Sequence, residues 1–129
     1  MSSPSELKYT KDHEWVRVDG DVVFVGITDH AQDALGDIVF VEVPELGGDI
    51  SKGDEASNIE SVKAAAPVYS PVSGSVCEVN PELDATPELL NQKPYDTFIF
   101  AVKLSNPAEV DGLLSYEQYQ AFLNEEKES

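Results

Sequence analysis

The sequence predicts an all-β domain with short flanking helices and a helix at its C-terminal end. Three observations predict this. Two β-rich runs within residues 15–27 flank Asp19-Gly20, a hairpin signal, because a type I′ turn needs positive φ at both central residues. Residues 97–104 alternate so that Phe98, Phe100, Val102 and Leu104 share one face of a strand. Gly36–Leu46 and Gly74–Leu83 follow one plan: a glycine, a β run, Glu-Val, then Pro-Glu-Leu. Two similar halves on either side of residue 63 would form a quasi-twofold β sandwich, although the order glycine, strand, proline also recurs by chance in β proteins.

In chain order, the hairpin of residues 15–27 comes first. Thr28 caps a helix running to Leu35, with Gly36 at the stop position. Residues 38–43 form a strand ended by Pro44, and the runs at Glu55–Ser61, Val68–Ser70 and Ser75–Val79 are short strands. Thr86-Pro87-Glu88 and Asn106-Pro107-Ala108-Glu109 each place proline just after a capping residue, where its missing N–H costs nothing. Ser115 and Gln118 make a capping box that opens a helix burying Tyr116, Tyr119, Phe122 and Leu123. Residues 125–129 are expected to fray in solvent.

The 129 residues suit one domain, with a core over about 7–123 and an acidic tail at 124–129. Twenty-five Asp+Glu against eight Lys+Arg give a formal net charge of −17. A field of that sign repels phosphates, so neither nucleic acid nor an anionic membrane surface is an expected partner. Proteins with basic docking patches are. A single cysteine, Cys77, excludes an intrachain disulfide, and its place in a strand suggests a buried, inert thiol. No apolar run approaches the roughly 20 residues of a membrane span. The first residues lack the features of a secretory or transit signal, so the expected location is the cytoplasm, or the mitochondrial matrix if this is a processed eukaryotic form.

Enzyme constellations are missing. There is no G-x-S-x-G elbow and no Gly-rich phosphate loop, and His13-Glu14 lacks a second histidine at helical spacing for a zinc site. Asp12-His13 and Asp29-His30 are better read as turn and cap residues than as parts of a catalytic triad. The informative stretch is residues 59–74, where Lys63 sits between two β-like runs with Ala64, Ala65 and Ala66 beside it. A lysine at a hairpin tip holds its amine away from the body, and the alanines leave room for an enzyme. On physical grounds alone, a plain surface lysine at a turn is the simpler reading.

Tyr9, His13-Glu14-Trp15, the run Val25–Gln32, Leu35-Gly36-Asp37, Val39-Phe40-Val41, Glu60-Ser61-Val62-Lys63-Ala64, Pro71-Val72-Ser73-Gly74, Val79-Asn80 and Pro94-Tyr95 resemble the glycine-cleavage-system H-protein family. The likeness runs from about Leu7 to Phe122. Glu-Ser-Val-Lys-Ala followed by Pro-Val-Ser-Gly is its most specific part. Other lipoyl domains usually place Asp before their lysine, and biotinyl carriers place Met on both sides.

The resemblance implies a barrel-sandwich hybrid of the lipoyl-domain type and a carrier rather than an enzyme. It implies lipoic acid joined as an amide to Lys63, with Glu60 and Gly74 recognised by the lipoate-attaching enzyme. Glu14 and His30 would line a cleft beside the arm. Glu14, anionic at neutral pH, would be the better candidate to pair with an aminomethyl cation, although a surface carboxylate at the hairpin mouth is an equal reading. The implied partners are a pyridoxal-phosphate glycine decarboxylase, a tetrahydrofolate-dependent aminomethyltransferase and dihydrolipoamide dehydrogenase, served in turn by a monomer. Lysine and lipoyl chains together reach roughly 14 Å.

Two departures stand out. Pro94-Tyr95 leads into Asp96-Thr97-Phe98, without the Gly and Trp of the family's usual turn, and Ala34 replaces a polar or larger residue found in some members. Two other readings stay open: a lipoyl relay that does not serve glycine, and an unmodified acidic binding module.

Overall fold

A computed structural model describes residues 4–128, with side chains over 5–125. It is predominantly β, with few short helices, as expected. Strands β1 (Lys8–Tyr9), β2 (Glu14–Asp19), β3 (Val22–Ile27), β5 (Asp49–Ile50), β8 (Gly74–Val79) and β9 (Phe100–Leu104) form a six-stranded sheet ordered β1-β2-β3-β9-β8-β5. Strands β4 (Ile38–Glu42), β6 (Glu55–Ser61) and β7 (Ala65–Tyr69) form a second sheet ordered β4-β6-β7. Every pairing is antiparallel, and neither sheet closes on itself. The sheets share one core: Val16, Val23, Val25, Phe100 and Val102 from the first meet Ile38, Val41, Ile59 and Val68 from the second. Burial of this apolar surface is the main term holding the sheets together.

The β2–β3 hairpin forms, but its turn is displaced by one residue from Asp19-Gly20. Asp19 pairs with Val22, so Gly20 and Asp21 are the central pair. Gly20 has φ +63° and Asp21 is not in the positive-φ region, which is the pattern of a II′ turn rather than I′. Helix α1 (Asp29–Leu35) starts as predicted, the Thr28 hydroxyl accepting the Ala31 N–H at 3.2 Å, and it stops at Gly36, whose φ of +78° suits glycine.

Both related segments carry a β-bulge at the same offset from their glycine, between Ile38 and Phe40 and between Val76 and Glu78. They lie in opposite sheets. The bulge in β8 explains the exposure of Cys77, which corrects the expected buried thiol: Val76 takes the core-facing position and Cys77 and Glu78 both face solvent.

The run at 97–104 is a regular strand only from Phe100. Residues 99–102 are all buried because β9 lies between β3 and β8 and is covered on both faces. Phe98 leaves the face of Phe100 and Val102 and packs edge-on against Phe24, centroids 5.2 Å apart. Thr86 closes helix α2 (Glu82–Ala85) rather than capping α3 (Leu89–Gln92) with its side chain, whereas the Asn106 side chain does accept the Ala108 N–H.

The capping box opens helix α4 (Tyr116–Glu128), with Gln118 N–H on the Ser115 hydroxyl and Ser115 N–H on Gln118 Oε1. The helix continues through the expected frayed end as far as Glu128, its Glu-rich sequence being compatible with helix. Beneath it Leu7, Tyr9, Trp15 and Tyr119 make a second apolar cluster, with Tyr9 and Tyr119 stacked at 4.7 Å. No helix among the described residues is long and apolar enough to cross a membrane.

Candidate functional site

Lys63 occupies the three-residue tip of the β6–β7 hairpin, exposed between Val62 and Ala64. The Ser61 side chain builds this tip. Its hydroxyl accepts the N–H groups of Lys63 at 3.2 Å and Ala64 at 3.1 Å, while Ser61 N–H donates to the Ala64 carbonyl at 2.8 Å. The tip is tied to the body by Val62 N–H on the Asp37 carbonyl, 3.0 Å. The lysine chain lies over Gly36: a Cβ there would come within 3.0 Å of Lys63 Cε. Glu60 is on the same hairpin, exposed on β6 opposite Phe40 and Ala65.

Gly74 lies in the other sheet, between Leu104 and Ile50. A Cβ at Gly74 would sit 1.9 Å from the Lys103 carbonyl oxygen, so close approach of β9 already demands glycine there.

Glu14 is buried, only 2% exposed, which corrects the surface reading. Its Oε2 accepts the Tyr69 N–H at 2.8 Å and its Oε1 accepts the Thr10 hydroxyl at 3.0 Å. Tyr69 ends β7, an edge strand, so a carboxylate from one sheet satisfies an outward backbone N–H of the other. Burial pushes the Glu14 carboxyl up to about 7, against the two hydrogen bonds that lower it. Burial thus favours the neutral acid at this site over the plain anion that the sequence suggests. It opens on a cleft of about 320 Å³ whose wall includes Thr10, Lys52, Tyr69, Ser70 and Leu114.

His30 does not line that cleft. It is exposed and borders a second one, about 420 Å³, with Asp29, Tyr95 and Tyr119. The single cleft expected for Glu14 and His30 is thus two. The cause is the tight Thr10–Glu14 turn, where His13 adopts φ +66° and packs against His30 with the rings tilted at 36° and centroids 4.4 Å apart, while its Nδ1 meets Tyr119 Oη at 2.8 Å. Glu14 turns inward to the sheets and His13 outward to α1 and α4.

The departure after Pro94 leaves its loop well anchored. The Trp15 indole N–H donates to the Pro94 carbonyl at 2.7 Å, and Asp29 N–H donates to the Tyr95 hydroxyl at 3.2 Å. Sequence reasoning missed Thr10, Lys52 and Tyr69 as cleft residues. A polar residue four positions before Glu14 was the only local signal.

The family model for the glycine cleavage H-protein matches residues 7–126. The chain is 54% identical to the glycine cleavage system H protein of Alkaliphilus oremlandii, over 98% of this chain and 99% of that one. It is 50% identical to that of Geobacillus kaustophilus, over 97% and 99%. A crystal structure of a glycine cleavage system H protein from Mycobacterium marinum superposes with a TM-score of 0.86 at 34% identity, covering 95% of this chain and 99% of that one. The chain therefore belongs to the glycine cleavage H-protein family, lipoyl carriers that hold lipoate covalently on a lysine and serve the enzymes of the glycine cleavage system without being catalysts themselves.

Proposed function

We propose that Lys63 is the lysine that carries the lipoyl group. The observation that carries this is its place: an exposed amine at the tip of a hairpin whose backbone is fixed by Ser61 and Asp37, with only small residues following it. Such a tip admits an acylating enzyme and roots a long arm on a rigid base. When bound, lipoate supplies a disulfide that is reduced to a dithiol and can hold a small group as a thioether.

The chain's own residues orient and shelter that arm. From Ala65 to Tyr69, the five residues of β7 rise about 13 Å in four steps, close to the arm's length of roughly 14 Å. An arm swung from its rest over Gly36 to lie along β7 would point toward the cleft of Glu14. There the carboxyl is held by Tyr69 N–H and Thr10, buried, and able to accept a hydrogen bond from an amine in either protonation state. The cleft wall keeps bulk water from a labile group.

We further infer that the carried group is the aminomethyl group of glycine. It would be taken from glycine decarboxylase to the aminomethyltransferase, with dihydrolipoamide dehydrogenase restoring the disulfide and a monomer visiting each in the cytoplasm. Glu60 and Gly74 are read as recognition points for the lipoate-attaching enzyme, while His30, on the second cleft, has no part in the arm's path.

The test is glycine decarboxylation with purified decarboxylase, lipoylated chain and labelled glycine. Release of labelled CO₂ should require the lipoylated wild-type chain and be lost with Lys63→Arg, since a guanidinium stays protonated and is not acylated. Equal release with the Lys63→Arg variant would overturn the reading.

A further inference from the structure

Asn91 lies in the single turn of α3, 28 residues beyond Lys63 in sequence. Its neighbour Leu90 is fully buried and fixes that turn in the core. The Asn91 side chain makes three hydrogen bonds, all to one stretch of chain, and uses both of its amide protons. Oδ1 accepts Ile38 N–H at 2.9 Å, and Nδ2 donates to the Gly36 carbonyl at 2.8 Å and to Gln32 Oε1 at 3.0 Å. The residue between the two clamped ones is Asp37. Its carbonyl receives Val62 N–H from the lysine hairpin, and Gly36 is the bare backbone on which the Lys63 chain lies.

We propose that Asn91 is the positioning residue of the lysine hairpin. By clamping Gly36 and Ile38 it holds the platform of residues 36–38 on which Val62 and Lys63 rest, and so sets where the lysine amine meets an acylating enzyme. This rests on the assignment of lipoylation to Lys63.

Two backbone groups lose their partner when Asn91 is truncated, and the turn with φ +78° at Gly36 then keeps its α1 cap and the Val62 bond to Asp37 but not its tie to α3. The hairpin keeps its Ser61 bonds, so it remains a hairpin, but its angle to the body is no longer fixed. An amine displaced by a fraction of an ångström reacts more slowly even when docking is unchanged. A purely structural residue would instead lower stability and leave the acylation of folded protein as it was.

The experiment measures steady-state lipoylation of wild type, Asn91→Ala and Asn91→Asp by a lipoate-attaching enzyme with lipoate and ATP, alongside amide hydrogen exchange at Val62 and Ile59. For Asn91→Ala we expect kcat to fall by about tenfold with KM for the carrier unchanged. Val62 exchange should quicken while Ile59, in the core, does not. Asn91→Asp keeps the acceptor for Ile38 N–H but sets an oxygen against the Gly36 carbonyl, so it should fall between the two, and it carries the test if the alanine variant does not fold. A kcat within about twofold of wild type, or a loss confined to KM, overturns the proposal. Wild-type protein that takes up lipoate at another lysine overturns the Lys63 assignment instead, and the Val62 exchange still reports whether Asn91 clamps the hairpin.

Discussion

Glu14 and Tyr69 join the two sheets: the carboxyl on β2 accepts the backbone N–H at the end of β7 at 2.8 Å, inside the fold. The pair is 55 residues apart in sequence. It links the wall of the cleft to the strand that runs back to Lys63.

That geometry has a pH consequence. Burial raises the folded-state carboxyl of Glu14 from 4.5 to about 7. The folded state therefore binds more protons than the unfolded state between those values, and stability falls as pH rises through that window, levelling above it. The contribution is on the order of 3 kcal/mol. Glu14→Gln, which can accept from Tyr69 and donate to Thr10, should flatten this part of the profile. Chemical denaturation of both proteins at pH 5 and pH 8, conditions chosen to span roughly that window, checks it. An identical pH slope in the two proteins would show that Glu14 does not titrate as described.

Trp15 packs across Gly26, its cross-strand partner, so closely that a Cβ at Gly26 would lie 2.5 Å from the indole ring. Gly26→Ala should destabilise by about 1–3 kcal/mol, as overpacking does. It should also shift the indole fluorescence as Trp15 moves off the Pro94 carbonyl. Wild-type stability together with an unchanged spectrum would contradict the packing described.

Much of the fold was legible where the signal is short-range. The Thr28 cap, the stop at Gly36 and the Ser115–Gln118 box each act within a few residues, so residue type and spacing suffice. The Lys63 hairpin was legible in the same way, through two β-like runs and a small-residue tip. What was missed depends on distant partners. Glu14 reads as a surface acid until Tyr69 comes to meet it, and Asn91 carries no mark of its three bonds to α1 and β4. The phase of a bulged strand is also not local, which is why Cys77 was assigned to the wrong face.

Glu60 shares the hairpin with Lys63 and is exposed, so its loss should affect recognition more than folding. Glu60→Ala should change stability by no more than about 0.5 kcal/mol while clearly slowing lipoylation. Rates of lipoate incorporation, followed by intact mass over time, decide it. Parent and variant incorporating at one rate would remove Glu60 from recognition.

The central claim is that one lysine among the seven in the chain carries the lipoyl group. The most direct measurement is peptide mapping by mass spectrometry of protein produced with lipoate, for wild type and Lys63→Arg. One lipoyl group per wild-type chain is expected, on the peptide holding Lys63, and none on the variant. Lipoate on any other lysine, or on the Lys63→Arg chain, would contradict it.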